Sequence, residues 1–171
     1  MRTIARVAAS VLGLLAVAVL LFVGYARAFG FDPGPWRPGL WLTGEVVTTP
    51  VTDWTFARES GGPTAIQTRD RIIPGLAYSI SSARFIHKGK LYLGSGYATG
   101  IKMPAGRHWN KNIIADPVIR VRIDGKLYDG KLVYVTDVEE HDSICRDYGE
   151  RIALLWAPGY YIHLWRFEQL V

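Results

Sequence analysis

From Val7 to Ala26 the chain runs without a charge and almost without a polar side chain. A helix rising about 1.5 Å per residue covers roughly 30 Å over that stretch, the thickness of a bilayer core. No polar face interrupts it, unlike a helix that packs one side on a soluble domain. The pattern predicts a transmembrane helix over about 7–26, within an anchor segment 1–27. The competing reading is a cleaved signal. Ala26-Arg27-Ala28 has the small-x-small form, but the apolar run exceeds the ~7–15 residues of a signal core. Arg2 and Arg6 favour a single-pass protein of the cytoplasmic (inner) membrane, with its N-terminus inside and its domain on the outer, periplasmic side. Arg27 and Arg37 pull the other way.

Residues 28–44 read as a linker, since their prolines and glycines break a helix. Phe29, Phe31, Trp36 and Trp41 suit the headgroup layer as an aromatic collar. Beyond it, 45–171 reads as the folded domain. Thr43–Thr68 is expected to form one or two strands around the turn cluster at 59–63, with Asp53, Trp54 and Phe56 in the first. Tyr78–His87 alternates, turns at Lys88-Gly89-Lys90 and returns at Leu91–Ser95. His108–Ala115 is a short helix stopped by Asp116-Pro117. Val118–Ile123 alternates cleanly, Asp124-Gly125 is a hairpin turn, and Lys126–Val135 returns. Gly130 marks a bulge or a barrel corner in that return strand.

Thr136 and Glu139 have capping-box spacing. Val138, His141, Cys145, Tyr148, Ile152 and Leu155 then recur at helical spacing, with Gly149 as a break. Tyr160–Glu168 is a last strand. The expected fold is mainly β: a six- to seven-stranded antiparallel barrel with one short and one longer helix, plus the N-terminal apolar helix. Closure would remove the exposed edges.

Charge and composition add exclusions. The net charge is +5, but Arg2, Arg6 and Arg27 sit in or beside the anchor, and no basic run is interleaved with aromatics. A nucleic-acid partner is not expected. One cysteine, Cys145, excludes an intrachain disulfide. His87, His108, His141 and His163 show no metal-ligand spacing, and no nucleophile–base pattern is legible. Ser79, Ser81 and Ser82 lie in a strand without elbow glycines. Candidate chemistry concentrates between the two hairpins. Lys102, Arg107 and Lys111 precede or open the short helix, where free amides favour an anion. The plain alternative is a solvated basic loop. Tyr97 and Trp109 either stack on a flat ligand or fill the core, and His108 is placed to donate a proton or ligate haem.

The run His108–Gly130, closed by Val135-Thr136-Asp137, resembles the split β-barrel proteins related to pyridoxamine 5′-phosphate oxidase. It is most similar to their deazaflavin-dependent nitroreductase branch. Trp109 and Asn112 match a Trp-x-x-Asn helix, Asp116-Pro117-Val118 a strand entry, and Thr136-Asp137 a helix start. The Tyr78–Ser95 hairpin also fits. The resemblance implies a dimeric six-stranded barrel holding FMN, a deazaflavin coenzyme or, less commonly, haem between protomers. Lys102, Arg107 and Lys111 would then cradle a phosphate, with Gly94, Ser95 and Gly96 allowing close backbone approach. Tyr97, His108, Trp109 and Asn112 complete the implied cofactor set. The family's Gly-Arg-x-Ser-Gly turn is missing; Arg69-Asp70-Arg71-Ile72-Ile73-Pro74-Gly75 stands in its place, with an acid. The implied function is a membrane-anchored flavin or deazaflavin protein reducing a small or lipophilic acceptor such as a quinone or nitroaromatic. The alternative is a non-catalytic split-barrel subunit of a membrane complex.

Overall fold

The computed structural model describes the 171-residue chain except Met1, Pro35, Trp36, Gly61 and Gly62, and omits the side chains of Arg2 and Thr3. The collar reading of Trp36 therefore lies outside the described residues. Helix α1 spans Arg2–Phe29. An 18-residue stretch within Ile4–Phe29 has a mean hydropathy of 2.7 and is unburied, so the helix is long and apolar enough to cross a membrane.

Seven strands follow: β1 Glu45–Val46, β2 Thr64–Arg69, β3 Ala77–His87, β4 Lys90–Ala98, β5 Val118–Ile123, β6 Lys126–Tyr134 and β7 Tyr160–Gln169. Six of them pair antiparallel in the order β6-β5-β2-β3-β4-β7, and β6 closes on β7. The barrel is therefore complete, and β1 adds outside it, parallel to β6. Both short hairpins turn through positive φ, at Lys88 and Gly89 (49° and 73°) and at Asp124 and Gly125 (51° and 76°). That backbone twist matches the twist of the flanking strands.

Period-two alternation separates two cores. Ile86, Leu91, Leu93, Val121 and Trp165 point into the barrel with Trp54. Phe85, Tyr92, Ile162 and Leu164 point outward and are covered by Ile144, Tyr148, Ile152 and Trp156. The covering residues come from helix α3 Val138–Asp147, helix α4 Gly149–Leu155 and the residues flanking α4. The helical pattern thus breaks at Tyr148, one residue before the expected Gly149, which opens α4. Its outer members Val138 and Leu155 are exposed rather than packed.

Two local expectations are corrected. Thr55–Arg58 is a short 3-10 helix and not a strand. Asp53 accepts from the amide and hydroxyl of Thr55, which starts that turn, and Trp54 drops into the barrel interior beside Tyr128 and Phe167. The α3 cap is Asp137, whose carboxylate accepts from the Glu140 amide, and not Thr136. Asp and Thr both suit the cap position, so spacing alone left the register open by one residue.

The barrel is split. Strand β3 pairs with β4 only over Ala83–His87, while β4 continues along β7 to Ala98. Helix α2, His108–Ala115, fills the divergence between them. The chain leaving α1 returns over the open β3 edge. Gly39 and Ser79 pair there, the Leu42 amide donates to Gln67 Oε1 at 2.6 Å, and Asp32 meets Arg122 at 2.8 Å.

Candidate functional site

Two amides hold α2 in the split. Asn110, fully buried, donates from Nδ2 to Ser95 Oγ (3.0 Å) and to Tyr97 Oη (2.6 Å) on β4. Asn112, also buried, donates to Thr68 Oγ1 (2.9 Å) on β2 and accepts from the Arg71 amide (3.3 Å). Between them Trp109 and Ile113 enter the barrel core, with Trp109 5.4 Å from Trp165. Asn112 and Ser95 are thus engaged within the fold. The Trp-x-x-Asn spacing marks Asn112 and says nothing of Asn110. A carboxamide one residue after a core tryptophan was the available signal.

Gly94 and Gly96 do not open a phosphate approach. Alternation puts them on the outer face of β4, opposite Tyr97. A Cβ at Gly94 would meet the Phe85 ring, and one at Gly96 would meet the Trp156 indole. The glycines make room for aromatic packing in the second core.

The cations separate. Arg107 stands at the start of α2, donates from Nη2 to the Gly96 carbonyl at 2.7 Å, and places its guanidinium 5.2 Å from the Tyr97 ring centroid. Lys102 is exposed and Lys111 half-buried; neither lines a cleft with Arg107. His108 is not available as a haem ligand through Nε2, which lies 2.6 Å from Asp70 Oδ2. Its ring stands edge-on to Tyr78 at 4.7 Å. Burial opposes the charge on Asp70, but the Ile73 amide, the His108 ring and the Ile72 amide outweigh it. They hold the carboxyl below its ordinary range. The acid in the 69–75 loop is therefore a partner for α2.

Two clefts meet at Arg107. One, about 300 Å³, lies between the returning segment and the barrel mouth and is lined by Gly34, Arg37, Pro38, Ile80, Ser81, Arg107 and Trp109. The other, about 320 Å³, runs along Gly96–Ala98, Ile101, Ala105–Arg107 and Tyr160. Both are at the small end of the ~300–1,000 Å³ typical of small-molecule sites. Neither Arg107 nor Arg37 forms a salt bridge among the described residues. Of the candidates read from the sequence, the first cleft unites Arg107 and Trp109, and the second Gly96, Tyr97 and Arg107. Arg37 joins from a segment that looked like a plain linker.

No protein-family model matches this chain, and no curated protein matches it. Among solved structures, it is similar to a NimC/NimA family protein from Clostridium acetobutylicum, at 17% identity over 65% of this chain and 76% of that one, with a TM-score of 0.43. It is similar to a FAD-binding protein from Mesorhizobium loti, at 15% identity over 66% and 84% of the two chains, TM-score 0.43. A third is a candidate pyridoxamine 5′-phosphate oxidase from Listeria innocua, at 17% identity over 65% and 86%, TM-score 0.43. The chain has a split-barrel fold: the closed strand order and the β3–β4 divergence establish it.

Proposed function

We propose that this chain is a membrane-anchored split-barrel protein that binds a flavin-type cofactor in the cleft beneath the returning segment. The reading rests on Arg107. One of its five N–H donors goes to Gly96, and no carboxylate among the described residues neutralises it, so it keeps donors for an anion where the two clefts meet. Arg37 brings a second guanidinium to the same cleft, and paired guanidinium forks suit phosphate oxygens. Ile80 and Trp109 form an apolar wall for a flat ring. These residues fit a flavin phosphate and ring better than Lys102, Lys111 and His108 do, since those three lie outside the cleft.

When bound, such a group supplies hydride or electron transfer. The protein's own part is orientation. Arg107 and Arg37 fix the anionic end, Trp109 and Ile80 keep water from the ring, and the Asn110 and Asn112 bonds keep α2 from shifting. The cleft wall at Gly34 and Arg37-Pro38 lies a few residues beyond α1, next to the end of the apolar helix. A lipid-soluble acceptor, a quinone or a nitroaromatic, would reach it from there.

The test is purification of the full-length chain in detergent, followed by its visible spectrum and titration with FMN, FAD and a deazaflavin. The reading predicts flavin absorbance or saturable quenching of flavin fluorescence. A colourless protein that quenches none of the three contradicts it.

A further inference from the structure

On the outer wall of the barrel, the end of the β3–β4 hairpin packs against α3. Three side chains distant in sequence meet there. His87 is buried, with only 6% of its side chain exposed. Its Nδ1 lies 2.9 Å from Asp147 Oδ2, and its Nε2 lies 3.4 Å from Ser143 Oγ. A carboxylate only accepts, so Nδ1 carries the ring proton in the neutral imidazole. Nε2 then faces the serine hydroxyl as an acceptor. Ser143 and Asp147 are four residues apart on α3 and share a face. His87 and Ser143 line an open cleft of about 400 Å³ whose wall carries both signs of charge, Lys88, Lys90 and Arg166 with Asp137, Glu139 and Glu140, while Asp147 stands behind the imidazole.

We propose that Ser143, His87 and Asp147 form a serine-nucleophile site that hydrolyses small carboxylic esters. The order hydroxyl, imidazole, carboxylate is what activation of a serine requires, whatever the chain order of the three. The Oγ–Nε2 separation is somewhat longer than the ~2.6–3.2 Å of a working pair, as is common before substrate binds. Ser143 Oγ attacks the ester carbonyl carbon as His87 Nε2 takes its proton. The bond to the alcohol oxygen breaks, and His87 returns that proton to the departing alcohol. Water then attacks the acyl-serine carbon and gives its proton to Nε2. The Ser143–acyl bond breaks, Oγ recovers the proton, and the carboxylic acid leaves. Ester and water thus give acid and alcohol, with no redox partner. Lys88 and Lys90, both exposed and in no salt bridge among the described residues, are cations on the cleft rim free to approach the oxyanion as it forms. Arg166 is occupied by Glu140 and Glu168 and shapes the wall. Asp147 is a positioning residue. The site shares no residue with the Arg107 clefts and stands or falls apart from them.

The experiment uses the full-length protein in detergent, a fluorophosphonate probe and p-nitrophenyl acetate. The probe loses fluoride as the Ser143 Oγ–phosphorus bond forms. Peptide mass spectrometry is expected to place the adduct on Ser143, and Ser143→Ala is expected to bring ester hydrolysis to background. Asp147→Asn should lower kcat/KM at least about tenfold. The loss should fall on kcat with KM little changed, because Asp147 holds the imidazole and not the substrate. Absence of an adduct on Ser143 in the wild-type protein overturns the proposal without relying on any variant. A Ser143→Ala protein hydrolysing at the wild-type rate, or an Asp147→Asn protein with unchanged kcat, overturns it as well.

Discussion

Gly39 and Ser79 exchange two backbone hydrogen bonds, at 2.8 and 3.0 Å. They lie where β3 has parted from β4, so the chain leaving the apolar helix acts as a short edge cover for the split. A buried strand edge without partners would leave its amides unsatisfied. The neighbours of that contact, Pro38 and Ile80, line the cleft that contains Arg37 and Arg107.

A side chain at position 39 should break that pairing. A Cβ there would collide with the Phe31 carbonyl, the Pro33 nitrogen and Ser79 Oγ. Gly39→Val is expected to speed amide hydrogen exchange in peptides covering 37–42 and 77–82 by about tenfold or more, the equivalent of ~1.4 kcal/mol of local opening. Unchanged exchange would show that the pairing does not hold the segment.

Asn110 should matter more for stability than its size suggests. Its Nδ2 satisfies Ser95 Oγ and the Tyr97 hydroxyl inside the split, where water has no access. Asn110→Ala strands both groups and is expected to cost about 1–3 kcal/mol in urea unfolding. A loss below about 0.5 kcal/mol would mean the split relaxes around the gap.

The Asp70–His108 pair gives a pH signature. The folded-state pKa of Asp70 lies below its ordinary value of about 3.9, so its contribution is fully present above that value. It is lost as pH falls through the depressed value, because the unfolded chain then binds the proton more readily. Asp70→Asn should lower stability at neutral pH and remove part of the acid destabilisation below about pH 4. Parallel stability–pH curves for the two proteins would refute this coupling.

The barrel was legible in the sequence because its hairpins alternate in polarity and turn at residues suited to positive φ, such as Asp124-Gly125. Gly130 was a readable corner: there β6 leaves β5 for β7, and the Phe167 ring occupies the space a Cβ would take. The covering contact at Gly39 was not legible, since proline and glycine spacing has no period and its partner is another strand's edge. Gly94 and Gly96 misled for a simple reason: a glycine that admits a phosphate and one that admits an indole read alike. Ser143 and His87 are 56 positions apart, and no local spacing could have joined them. Arg107 was readable as a cation before a helix, but its separation from Lys102 and Lys111 depends on how the loop folds.

The most direct measurement is the FMN affinity of the full-length protein against that of Arg107→Gln, in the same detergent, with thermal unfolding as the control. Loss of a charged fork on a phosphate is expected to weaken binding about tenfold or more, with the unfolding midpoint little changed. Equal affinity in the two folded proteins would contradict the placement of the cofactor beside Arg107.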